Sequence, residues 1–292
     1  MVLSLKRNKN AIFLVLPAVL VSMSVVLVPA IMTFYTSLTN WNGFTADMEF
    51  IGLENFRYLF NNKYFWTALT NNIIWTFLFL TIPVVIGMGA ALLILNRKRG
   101  RDALQVVFLL PYVLSSIVNA LIWKNVIYAP LSGVVAWLNN TFGLGIPALL
   151  TTRGTALFAV AGVDIWHYWG FLCIVYFAAL RQVPTDQVEA AKLDGANFFQ
   201  QFRYVYYPHI RPTFLLLSIM IIIFSFLAFD YVKLLTEGGP AHATEMLGTL
   251  AYTLAFKEFK LGRASAAALF MSLFGLIASG IYIKINQSEE RY

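Results

Sequence analysis

Six apolar runs dominate this sequence, and each is long enough to cross a bilayer as a helix. They cover roughly Ala11–Leu38, Ala68–Leu95, Ala103–Ile127, Ala156–Leu180, Thr213–Leu235 and Ala264–Ile285. A hydrocarbon core about 30 Å thick needs about 20 helical residues. Of the 292 residues, 59% are hydrophobic and 12% charged, whereas soluble domains run to about 25% charged. The pattern implies an all-α, polytopic membrane protein with six transmembrane helices. Pro17, Pro29, Pro83 and Pro111 lie inside or near the ends of these runs. They are read as kinks, because neighbouring helices can satisfy the freed carbonyls. Lys6, Arg7 and Lys9 precede the first run as they would in a signal peptide, but the run exceeds the usual 7–15 apolar residues. It is therefore read as an uncleaved first helix.

The net charge of +7 is not gathered into a nucleic-acid-binding face. The basic residues fall in short connectors, where they act as topology signals. Lys6, Arg7 and Lys9 at the N-terminus, Arg97, Lys98, Arg99 and Arg101 after the second run, and Arg181, Lys192, Arg203 and Arg211 after the fourth share one side of a six-span chain. Asp47, Glu49 and Glu54 mark the first opposite connector; Lys233, Lys257, Lys260 and Arg263 fit the last outer connector less well. This bias places both termini in the cytoplasm. Cys173 is the sole cysteine, which excludes a disulfide framework.

One cytoplasmic connector, "EAAKLDGANFFQQFRYVYYPHIRP" (189–212), is too polar for lipid. Pro184 ends the preceding helix. Asp186 and Glu189 have the spacing of a capping box, Gly195 supplies a left-handed C-cap, Asn197 caps a second short helix, and Pro208 breaks it. Small Ala190 and Ala191 allow close approach of another backbone, with Glu189 and Asp194 offering charge. On the residues alone, Glu189 is equally a docking group or a capping partner.

The stretch Glu189–Ala196, then Phe202, Pro208 and Pro212, resembles the cytoplasmic EAA loop of carbohydrate ABC importer permeases. "IGLENFRYLF" (51–60), "FDYVKLLTEGGPAHATEML" (229–247) and "FKEFKLGRASAAALF" (256–270) resemble further stretches of that family in the same order. The similarity is closer to the F-type subunit of maltose transporters than to its G-type partner. The resemblance implies a second, G-type permease, two ATP-binding subunits and an extracytoplasmic sugar-binding protein as partners, within the bacterial inner membrane. It also implies ATPase coupling through Glu189, Ala190, Ala191, Asp194, Gly195, Ala196, Phe202 and Pro208. The chain then divides into residues 1–66 (tail, first helix and outer loop), a core permease domain at 67–286 with the EAA loop at 185–212, and a tail at 287–292.

No GxxxxGK[ST] phosphate cradle occurs in the sequence. No cofactor is expected on this chain; ATP and Mg belong to partner subunits, and no catalytic residue is assigned. His209 and His242 lack a second ligand at metal-binding spacing, so no metal site is expected. Polar groups inside spans face cavities or partner helices. Asn119, Asp164, Trp166, His167 and Asp230 are therefore candidates for a sugar path, since sugars stack on aromatic rings and hydrogen-bond to polar groups. Asp164 and His167, three apart, could instead pair with each other, the tryptophans could belong to an interfacial belt, and Asp230 could be structural. Lys124 and Tyr128 are read as marking the outer interface of the third span. The small stretches Gly87–Ala91 and Ala264–Ala268 suit close helix packing, the latter against a partner permease. A polyol or glycerol-phosphate permease is an alternative substrate reading. An ion-coupled secondary transporter would need midplane acids and an internal repeat; Asp164 and Asp230 are too few, and no convincing repeat is present.

Overall fold

The computed structural model describes residues 9–45, 47–97 and 99–289, with side chains over 14–45, 47–97 and 99–285. Lys6, Arg7 and Lys98 of the orientation argument, and residues 290–292 of the expected tail, lie outside the described residues. Among the described residues the regular structure is helical, apart from one isolated antiparallel bridge between Thr39 and Phe50. In chain order the helices are α1 (Lys9–Ser22), α2 (Val28–Ser37), α3 (Glu54–Asn61), α4 (Lys63–Leu95), α5 (Arg101–Val113), α6 (Ser116–Ile122), α7 (Val134–Phe142), α8 (Ala156–Leu180), α9 (Thr185–Leu193), α10 (Phe198–Gln201), α11 (Tyr207–Phe226), α12 (Asp230–Leu235), α13 (Leu247–Tyr252) and α14 (Leu261–Glu289). Residues 287–289 of the expected tail continue α14.

The chain forms two compact units, one from residues up to Asn61 together with Ala251–Phe270, the other from Asn62–Leu250 together with residues from Met271 onward. In the first unit, buried Asn55 donates from Nδ2 to the carbonyls of Ser37 and Thr39, both at 2.8 Å. Gly262 fits against the Thr39 carbonyl and the Asn55 amide, leaving no room for a Cβ. Thr36 Oγ1 donates to Ser265 Oγ at 2.8 Å, and the Arg263 guanidinium lies 3.7 Å over the Tyr58 ring. Ala264, Ala266 and Ala267 are buried within the chain itself. This corrects the expectation that the stretch waits for a partner permease: its small side chains are already used in packing at home.

In the second unit α8 is the central post, and α4, α5 and α11 lean on it. A Cβ on Gly87 of α4 would stand 2.9 Å from Leu172 Cβ of α8, so the small residue sets the helix spacing. Ala91, Leu172 and Cys173 are fully buried in the same seam. Asn72, also fully buried, donates to the Ser225 carbonyl at 2.7 Å and accepts from the Leu247 amide at 2.9 Å, tying α4 to α11 and to the start of α13.

Two expected single spans are interrupted. The third run is α5 and α6 joined at an angle of 91°, with Leu114 and Ser115 extended between them. Pro111 weakens the last turn of α5, and the Ser115 side chain accepts from the Val118 amide to begin α6 afresh. The fifth run ends at Phe226, and α12 starts again at Asp230. The fourth, by contrast, has the expected bounds. Pro208 does not break its helix: a π-helical turn at Phe202–Tyr206 passes straight into α11, with Pro208 in its first turn. The proline lacks a donor for the usual i−4 carbonyl, and the wider turn shifts the bonding register there. Met23–Leu27 and Pro29 repeat this arrangement.

Candidate transport site

The two helix breaks sit beside one another. Ser116, the first residue of α6, donates from Oγ to Asp230 Oδ2, the first residue of α12, at 3.1 Å. Below this link Asn119 Nδ2 donates to the Tyr231 hydroxyl at 2.8 Å, and Lys124 Nζ donates to the Leu234 carbonyl at 3.0 Å. The Tyr128 hydroxyl donates to the Ala159 carbonyl at 3.2 Å, so both proposed interface markers are also helix ties. The carbonyl of Leu114, freed by the break, meets His167 Nε2 of α8 at 3.2 Å. Irregular backbone at membrane depth is tolerated where protein or a cavity receives it, and here both do.

Between the breaks lies a cavity of about 320 Å³. Trp75 and Phe79 of α4, stacked at 5.3 Å, form one wall. Tyr112 forms another, stacked on Phe171 at 4.8 Å. Asp164, His167 and Tyr168 come from α8, Ser225 from α11, and Asp230 from α12. Asp164 sits eight residues into α8, which is about 12 Å from its Ala156 end.

Three of the five residues singled out for a sugar path, Asp164, His167 and Asp230, are thus brought together. Asn119 and Trp166 do not line this cavity. Asn119 is fully buried, its amide nitrogen donating to Tyr231 while its Oδ1 has no partner among the described residues; Trp166 packs edge-on to Trp123 at 5.6 Å. Asp164 and His167 approach to 3.9 Å between Oδ1 and Nδ1, too far for a hydrogen bond. Ser116, Ser225 and Tyr112 were not singled out. The serine pair after Pro111 is an N-cap signal that marks the break and hence the cavity lip.

The polar loop occupies the far end of α8. Helix α9 begins at Thr185 behind Pro184, with no side-chain cap, so the expected Asp186–Glu189 capping box is absent. Asp186 instead adds negative charge to the first turn, where the helix dipole favours it. At the other end the Ala196 amide donates to the Ala191 carbonyl at 2.9 Å and the Gly195 amide to Lys192 at 3.1 Å. Gly195 has φ +76°, and the three features make a complete Schellman turn. Asn197 then caps α10 in a reciprocal box with Gln200. Val188 is buried and Phe202 packs against the core, fixing the loop from behind. Glu189, Ala190, Asp194 and Pro208 are exposed, Ala191 and Ala196 half-buried. Leu193 and Phe199 project outward at 89% and 79% exposure.

The described loop 236–246 is braced internally. Thr244 Oγ1 donates to the Gly239 carbonyl at 2.7 Å, and the buried Glu245 carboxylate meets His242 at 2.7 Å and accepts from Thr249 at 2.6 Å. Asn71 Nδ2 holds the carbonyls of Ala243 and Glu245. The glycines there serve a packed turn, as with Gly238, where a Cβ would meet Glu245 Oε2.

Comparison with known proteins agrees with this architecture. The chain is 32% identical to the probable starch degradation products transport system permease protein AmyD of Thermoanaerobacterium thermosulfurigenes, over 98% of this chain and 97% of that one. It is 32% identical to the multiple sugar-binding transport system permease protein MsmF of Streptococcus mutans, over 88% of each. The crystal structure of a bacterial ABC transporter involved in the import of the acidic polysaccharide alginate superposes with a TM-score of 0.81 at 25% identity, over 96% of this chain and 97% of that one. Residues 83–289 match the family described as binding-protein-dependent transport system inner membrane component, and the chain belongs to that family.

Proposed function

We propose that this chain is the F-type transmembrane subunit of an ATP-driven importer for a sugar or oligosaccharide. The named cargoes of AmyD and MsmF relatives support the sugar class. In this reading an extracytoplasmic binding protein delivers the sugar, a G-type permease completes the path, and two partner subunits bind ATP and Mg and hydrolyse the nucleotide. Both termini face the cytoplasm. The cavity bounded by Asp164, His167 and Asp230 is this chain's share of the sugar path.

The observation that carries the coupling is the rigid α9–α10 corner. A helix closed by a Schellman turn, anchored by Val188 and Phe202, moves as one piece with the ends of α8 and α11. Glu189, Ala190, Ala191, Asp194, Gly195 and Ala196 form the face offered to the ATPase, and Phe202 and Pro208 seat it. ATP-driven closure of the ATPases pulls this corner and opens the spans toward the binding protein; hydrolysis reverses the motion. Sugar uptake by proteoliposomes containing the assembled complex tests this with Glu189→Lys. Uptake is expected to fall by tenfold or more on the order of 1.4 kcal/mol or greater of lost coupling. Uptake equal to wild type overturns the docking role.

A further inference from the structure

We infer that the cavity between the two helix breaks admits saccharides without anionic groups, neutral or aminated, and rejects those bearing carboxylate, sulfate or phosphate. The inference rests on the reading of that cavity as part of the sugar path.

The lining carries two carboxylates, Asp164 and Asp230, and among the described residues it carries no lysine or arginine. The nearby cations are engaged elsewhere: Lys124 donates to the Leu234 carbonyl at 3.0 Å, and Lys233 pairs with Glu237 at 3.6 Å. The Nε2 of His167 faces the Leu114 carbonyl. An acidic saccharide entering here would bring its charge beside two carboxyl groups with no counter-ion from this wall. Like-charge juxtaposition and an unpaired buried charge are both costly.

The rest of the lining suits hydroxyl-rich ligands. The hydroxyls of Tyr168 and Ser225 are buried and have no hydrogen-bond partner among the described residues, yet both line the cavity. Buried polar atoms of this kind are normally satisfied, and these two belong to residues of the cavity wall. The carboxyl groups of Asp164 and Asp230 offer oxygens that can accept from sugar hydroxyls or an ammonium group. Trp75, Phe79 and Tyr112 give flat apolar walls for the C–H faces of a ring. The acidic cargo named for the superposable alginate importer therefore does not carry over to this cavity.

The test is equilibrium binding to the assembled importer in nanodiscs, without binding protein. Matched pairs serve as probes: the trisaccharides of galactose and galacturonate, and of glucose and glucuronate. Each neutral member is expected to bind about tenfold or more tightly than its uronate, consistent with like-charge repulsion. The Asp164→Asn/Asp230→Asn double variant, and Asp230→Asn alone should the double variant not assemble, is expected to shrink that ratio severalfold. A uronate bound as tightly as its neutral partner, or a ratio untouched by the variants, overturns the charge selection while leaving the sugar path standing. Failure of every neutral saccharide to bind overturns the sugar-path reading itself, and this inference with it.

Discussion

The amide of Ala196 donates to the carbonyl of Ala191 across 2.9 Å, and this one bond turns the chain from α9 into α10. It forms only because Gly195 holds φ +76°. A Cβ there meets no atom within 4 Å, so alanine would add backbone strain without a clash. That strain is about 1–2 kcal/mol for an L-residue. Gly195→Ala is expected to lower ATP-driven sugar uptake in the reconstituted complex, while Gly195→Asn, which tolerates the left-handed region, keeps most of it. Wild-type uptake by Gly195→Ala would show that the corner's angle does not transmit motion.

This corner was legible in the sequence, because Gly195 acts through its own backbone and Asn197 through a side chain that reaches only three residues on. The fourth span was legible from its hydropathy: α8 is apolar apart from a few polar groups such as Asp164 and His167, and its bounds fall where the run stops. The breaks at Leu114–Ser115 and at 227–229 were not. Both lie inside runs that stay apolar, and hydropathy reports transfer into lipid, not helix continuity. What holds them open is tertiary: His167 on the Leu114 carbonyl and Ser116 on Asp230, contacts between residues 53 and 114 positions apart. Asp164 and His167 were recognised as costly in a span, whereas Asn119 looked the same and proved to be a clamp. Residue type announces a need for a partner without saying which partner meets it.

Gly170 tests the packing of the central post. A Cβ at this position would run into the Phe108 carbonyl of α5, so a methyl group would collide with backbone that cannot rotate away. Gly162, on the same helix, has open space. Gly170→Ala is expected to destabilise the protein by about 1–3 kcal/mol, as overpacking does. Gly162→Ala is expected to be neutral or stabilising by about 1 kcal/mol, from helix propensity alone. Thermal unfolding in detergent, followed by retention of the monodisperse peak, compares the two; equal midpoints would refute the close α5–α8 contact.

Asn72 tests the polar tie inside the apolar core. It is fully buried, and both ends of its amide are used, on the Ser225 carbonyl and the Leu247 amide. Asn72→Ala leaves a carbonyl and an N–H unpaired, at about 1–3 kcal/mol each. The same thermal measurement should show a clear loss of stability. Thr81→Ala is a suitable reference, since its hydroxyl bonds only to the carbonyls of its own helix, Phe77 and Leu78. If Asn72→Ala melts with Thr81→Ala, the asparagine is not a tie.

Leu193 and Phe199 stand on opposite sides of the Gly195 turn, 89% and 79% exposed. With Phe198 beside Phe199, half-exposed and in ring contact with it, these are large apolar side chains whose exposure to water is unfavourable. Burying each against another protein recovers about 1.5–3 kcal/mol. Because neither side chain is part of the core, Leu193→Asp and Phe199→Asp should leave the folding of the permease unchanged. They should instead release the ATP-binding subunits, seen as loss of those subunits from the affinity-purified complex and a parallel loss of uptake. The Schellman turn predicts that the two variants act together, since it fixes both residues on one rigid corner. A permease that kept its ATPases with both positions charged would place the docking face elsewhere on the chain.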